Sequence, residues 1–125
     1  AGPRATLPGA RQAFPGQRLV AVFQPDPYSR TETHGEAMGR ELAVADLVIV
    51  TEIYGAREQP IPGVSGERVA EAARRAGAET IFEPDRSAVA GRVLATLRPG
   101  DIVITLGAGD ITRVSRELFE CLRSA

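Results

Sequence analysis

Four short apolar runs punctuate the chain: Leu19–Phe23, Leu47–Val50, Thr80–Phe82 and Ile102–Leu106. Most are continuously apolar and rich in β-branched residues, where a half-exposed strand would alternate. Such runs predict strands buried on both faces, and so a parallel sheet lying under helices. A segment of helical period follows each run. The first, Thr31 to Val44, comes after Ser29 and Glu32, which have the Ser-x-x-Glu spacing of a capping box. Ser65 is placed to cap the next, with Val64 and Val69 as a hydrophobic staple and Gly77 as the stop. Its apolar stripe is Val69, Ala72, Ala73 and Ala76. Asp85 caps the third, where Val89, Val93, Leu94 and Leu97 face inward before Pro99-Gly100 ends it. The last runs from about Asp110 to Arg123, with Val114, Leu118, Cys121 and Leu122 on one face.

Strands alternating with helices predict an α/β domain, a three-layer Rossmann-like fold with a mostly parallel sheet in the order 3-2-1-4. In that order the winding reverses between the first strand and the fourth. The loop Gln24–Arg30 then lies beside the segment Gly107–Asp110, and the two share one crevice. The domain spans residues 18–125. Residues 1–17 are rich in Gly and Pro, and Pro8 interrupts their one helical stretch, so they predict an irregular leader.

At 125 residues the chain is one domain with a single core. Its formal net charge of -1 argues against a nucleic-acid surface, which needs a clustered basic excess. No run approaches the roughly 20 apolar residues of a membrane span. A lone cysteine, Cys121, on a core stripe makes no internal disulfide and suits a cytoplasmic location. All fifteen basic residues are arginine. Without lysine there is neither Schiff-base chemistry nor a P-loop lysine. One histidine and one cysteine do not make a zinc site of the usual kind. No metal ligand is assigned.

Two segments carry the candidate chemistry. Gly107-Ala108-Gly109-Asp110 follows a strand and opens a helix, where glycines admit a ligand close to the backbone and free N–H groups attract an anion. An ordinary strand-to-helix turn has the same composition. Arg30 closes the first loop, and a guanidinium there can grip a carboxylate or a phosphate with two hydrogen bonds. Asp26, between Pro25 and Pro27, can pair with Arg30, coordinate Mg²⁺ or cap a turn. Tyr54, in the long loop after the second strand, either stacks on a ligand or covers the core edge. His34 falls in the first helix turn as an exposed residue without a partner constellation.

Three stretches, VFQPDPYSRT, EIYGAREQPIPG and ITLGAGDI, together resemble the C-terminal domain of the Mur ligases, from about Arg18 to the C-terminus. The resemblance implies an ATP-dependent, amide-forming ligase of peptidoglycan synthesis with three domains. ATP phosphorylates a substrate carboxylate, and an amino acid attacks the acyl phosphate. The N-terminal domain would hold UDP-N-acetylmuramate, and the central one ATP and Mg²⁺. The C-terminal one would close over both and bring L-alanine. Arg30 matches the family arginine that neutralises charge at this point, so the resemblance makes it a binding residue for ATP as well as for substrate.

The chain departs from the family pattern in three places. Residues 1–125 hold no counterpart of the N-terminal or central domain or of the strand that normally begins the C-terminal one, residues 1–14 resemble a remnant of the helix after that strand, and Asp26 stands where the family usually has His and Pro27 where Arg is common. The expectation is an isolated fragment with no activity and no tightly bound cofactor of its own, prone to self-association through its sheet edges. The alternatives are a non-catalytic anion- or nucleotide-binding module and a structural fragment with a disabled site.

Overall fold

A computed structural model describes residues 3–55, 58–107 and 111–124. Helix α1 (Pro3–Ala13) precedes strand β1 (Leu19–Gln24). There follow α2 (Tyr28–Leu42), β2 (Leu47–Thr51), α3 (Glu67–Arg75), β3 (Glu79–Glu83), α4 (Arg86–Thr96), β4 (Ile102–Gly107) and α5 (Ile111–Ser124). The strands form one parallel sheet in the order β3-β2-β1-β4. This is the fold and the strand order that the apolar runs predict.

Alternation along each strand splits the core into two layers. Leu19, Ala21 and Phe23 of β1 join Val48 and Val50 of β2 on one face, under Leu7 of α1, Leu42 of α2 and Val69 and Ala73 of α3. On the other face Val20, Val22, Leu47 and Ile49 meet Val89 and Val93 of α4 and Val114 and Leu118 of α5. The chain winds from β1 to β3 with α2 and α3 above the sheet. Its return across the sheet to β4 carries α4 below, as right-handed crossovers require. Within the upper layer Gly39 lets α2 approach α3 closely: a Cβ there would lie 2.5 Å from the Cβ of Ala72 and 2.6 Å from the Val69 carbonyl oxygen.

Burial on both faces holds for β1 and β2 but not for the outer strands. β3 is exposed or half-buried throughout, and β4 is half-buried over Ile102–Thr105, buried at Leu106 and exposed at Gly107. Each has one neighbour strand among the described residues, so it lies at an edge of the sheet. The segment expected to be irregular is a helix through Pro8. Proline costs about 3 kcal/mol inside a helix. Tertiary contacts outweigh that here. Leu7 is fully buried, and the Arg11 guanidinium donates to the carbonyls of Gln17 and Val44 and to Asp46 Oδ2 at 3.2, 2.9 and 3.0 Å.

At the base of the sheet, Arg18 grips Asp101 with Nε and with an amino nitrogen at 2.8 Å. Its amino nitrogen also donates to the Thr96 carbonyl at 2.5 Å. This ties the start of β1 to the turn before β4. Asp85 caps α4 as its sequence position suggests, accepting from the Ser87 N–H at 3.0 Å. The Ala76 expected in the α3 stripe is instead the exposed C-cap of that helix.

Candidate functional site

At the carboxyl end of the sheet the last residues of β1 and β4 lie side by side. Gln24, the final residue of β1, pairs with Gly107, the final residue of β4. Gly107 has φ +118, and a Cβ there would collide with the Gln24 carbonyl oxygen. Only glycine accepts that backbone beside a neighbouring strand. The two segments thus start side by side at the reversal of the winding. Ala108, Gly109 and Asp110 lie outside the described residues.

From Gln24 the chain runs through buried Pro25 and half-buried Asp26 to Pro27, joined by a cis Asp26–Pro27 peptide. The helix that follows begins at Tyr28, not at Thr31. Pro27 is its N-cap, and its carbonyl accepts both the Thr31 N–H at 3.1 Å and the Thr31 hydroxyl at 3.0 Å. The Ser29–Glu32 capping box does not form. Starting one turn earlier places Ser29 inside the helix, out of reach of the role its spacing suggests.

Its partner is Glu58, on the loop after β2. The Ser29 hydroxyl donates to Glu58 Oε2 at 2.5 Å and the Ser29 N–H to Oε1 at 3.1 Å. The hydroxyl and then the N–H of Ser29, with the Tyr28 N–H in support, hold the Glu58 carboxyl below the usual carboxylate range. Two more contacts join these loops. The Tyr54 N–H donates to the Pro25 carbonyl at 2.8 Å, and Gly55 sits so close to the Tyr28 ring that a Cβ would lie 2.6 Å from it. Glu52 holds the far end of the same loop, accepting from the Ile53 and Gly66 N–H groups at 2.9 and 2.6 Å. Sequence reasoning missed Glu52 and Glu58. Their partners are remote in the chain, and only the run of prolines after Glu58 marks a shaped loop.

Arg30 is exposed in the first turn of α2. The sequence allowed a pair with Asp26, but no ion pair joins them among the described residues. Asp26 precedes the cis peptide and Arg30 follows it in the helix, where it has no ion-pair partner among the described residues. His34 is exposed, and Tyr54 is 37% exposed at the loop rim. Beneath the loops, Gln24 and Thr51 are 3% and 0% exposed, and Gln24 Oε1 and Thr51 Oγ1 have no hydrogen-bond partner among the described residues. No group of three His, Cys, Asp or Glu side chains able to hold a metal converges among the described residues. Nor is any described helix long and apolar enough to cross a membrane.

A parallel sheet in the order β3-β2-β1-β4 with helices on both faces defines an α/β domain of Rossmann-like architecture, with its switch point between β1 and β4. The family described as Mur ligase, glutamate ligase domain, matches residues 1–109, and the chain belongs to it. UDP-N-acetylmuramate–L-alanine ligase of Mycobacterium sp. (strain JLS) is 50% identical over 107 residues, which cover 86% of this chain and 22% of that protein. The enzyme of the same name from Salinibacter ruber is 44% identical over 121 residues, 96% of this chain and 26% of that protein. The crystal structure of UDP-N-acetylmuramate–alanine ligase from Thermotoga maritima has the same fold, with a TM-score of 0.77 at 24% identity over 98% of this chain and 24% of that one. The chain therefore spans about a quarter of the length of these relatives.

Proposed function

We propose that the chain serves as the C-terminal, amino-acid-binding domain of an ATP-dependent UDP-N-acetylmuramate–L-alanine ligase in cytoplasmic peptidoglycan synthesis. The observation that carries this reading is Arg30, exposed in the first turn of α2 without an ion-pair partner among the described residues, after a segment that starts beside Gly107, in a chain half identical to ligases of that name. In such an enzyme the N-terminal and central domains supply UDP-N-acetylmuramate, ATP and Mg²⁺. When bound, ATP supplies the phosphoryl group that activates the sugar-linked carboxylate.

This chain's own part is to bind and orient. Arg30 suits an anion: its guanidinium meets a carboxylate or a phosphoryl oxygen in bidentate fashion and offsets charge that grows during acyl transfer. In this reading Ala108, Gly109 and Asp110 complete the substrate-binding set with Asp26, whose carboxylate lowers the positive potential of the segment that leads to Arg30. Closure of this domain over the other two excludes water from the reacting centre.

The test is a chimera that carries this chain behind the first two domains of the Salinibacter ruber relative. L-alanine-dependent ATP turnover supports the reading. A folded chimera whose ATP turnover ignores L-alanine refutes it and favours an anion-binding module.

A further inference from the structure

The first turn of α2 lacks a cap of its own. Proline stands at the N-cap with no side-chain acceptor, so the leading N–H groups must be satisfied from elsewhere. Glu58 satisfies the first two, those of Tyr28 and Ser29. Its carboxylate accepts from the Ser29 hydroxyl and from the Ser29 N–H, and the Tyr28 N–H adds to its hold. A carboxylate at a helix N-terminus also opposes the positive end of the helix dipole. Arg30 is the very next residue, exposed and without an ion-pair partner among the described residues. The same loop is fixed on both sides of Glu58's contact, by the Tyr54 N–H on the Pro25 carbonyl and by Glu52 on the Gly66 N–H. The β2–α3 loop is thus built as a brace across the base of the turn that carries Arg30.

We propose that Glu58 is a positioning residue for Arg30: it caps α2 from the β2–α3 loop and holds the Arg30-bearing turn in its anion-binding form. The proposal rests on the reading of this loop as the anion site. It makes a prediction opposite in sign to simple electrostatics. Deleting a carboxylate near Arg30 should, by charge alone, strengthen anion binding. If Glu58 positions Arg30, deletion weakens it.

The experiment is a titration of the full chain with inorganic phosphate, followed by NMR at the Arg30 Nε–H, together with hydrogen exchange of the Thr31 amide, whose bond to the Pro27 carbonyl opens the helix. In Glu58→Ala, Thr31 exchange rises about fivefold, the factor a lost cap represents. Phosphate affinity at Arg30 falls about threefold or more. Glu58→Gln keeps an acceptor without the charge, so it restores Thr31 protection and binds phosphate at least as well as the parent chain. Phosphate binding by Glu58→Ala that equals or exceeds the parent's overturns the positioning role, as does unchanged Thr31 exchange. A parent chain whose Arg30 ignores phosphate overturns the site itself and the positioning role with it.

Discussion

Gln24 and Gly107 end adjacent strands in register, and the backbone of Gln24 occupies the space a side chain at 107 would need. This contact sets how closely the ends of β1 and β4 approach. Gly107→Ala must bear both a positive φ and a collision with backbone, and is expected to cost about 2–4 kcal/mol. Gly100→Ala has a positive φ but open space around it, and should cost only about 1 kcal/mol. Urea midpoints of the two variants, at unchanged m-values, check the difference.

The pair Gly39 and Gly91 separates packing from helix propensity. Both lie inside helices, but a Cβ at 39 would strike α3 while one at 91 meets nothing within 4 Å. Gly91→Ala should stabilise by about 0.5–1 kcal/mol, since alanine gives up less entropy in a helix. Gly39→Ala should destabilise by about 1–3 kcal/mol through overpacking. Thermal melts of opposite sign confirm that α2 and α3 meet backbone to backbone.

Asp101 gives the fold a dependence on acid. Its hydrogen bonds from the Arg18 side chain, with further help from the Arg98 N–H, hold its carboxyl below the ordinary value against the opposing effect of burial. A depressed folded value means that the stabilisation is complete above the unfolded carboxylate value of about 3.9 and fades as pH falls through the lower folded one. Its side chain is 4% exposed, so Asp101→Asn should cost about 3 kcal/mol at neutral pH. The same change should flatten the loss of stability on acidification. Denaturant titrations at several pH values test both effects.

The strand order was readable because continuous apolar runs such as Leu47–Val50 have few places to go but the middle of a parallel sheet. The outer strands were misjudged for a related reason: Thr80–Phe82 has the same composition as a central strand, and only the sheet edge decides its exposure. Helix α1 was hidden by Pro8, whose local penalty is visible in sequence while the burial of Leu7 and the grip of Arg11 are not. At the site, the loop Gln24–Arg30 and its neighbour Gly107 were legible from strand–loop–helix order. The cap on α2 was not. Ser29 and Glu32 offered a local partner at the right spacing, and the true acceptor, Glu58, comes from another loop.

Asp26 tests the charge balance of that loop. It is half-buried and makes no ion pair with Arg30 among the described residues, so Asp26→His breaks no bridge and should shift the melting temperature by less than the equivalent of about 0.5 kcal/mol. Removing a negative charge near Arg30 should strengthen phosphate binding there, with a gain that shrinks as salt is raised. A phosphate titration of both chains at two ionic strengths measures it.

The most direct measurement is the L-alanine dependence of ATP turnover in the chimera, with and without Arg30→Ala. The account predicts a loss of about 10²-fold in turnover per KM for L-alanine, with folding unchanged because Arg30 is exposed and has no ion-pair partner among the described residues. Equal L-alanine-dependent turnover in the parent and Arg30→Ala chimeras would contradict it.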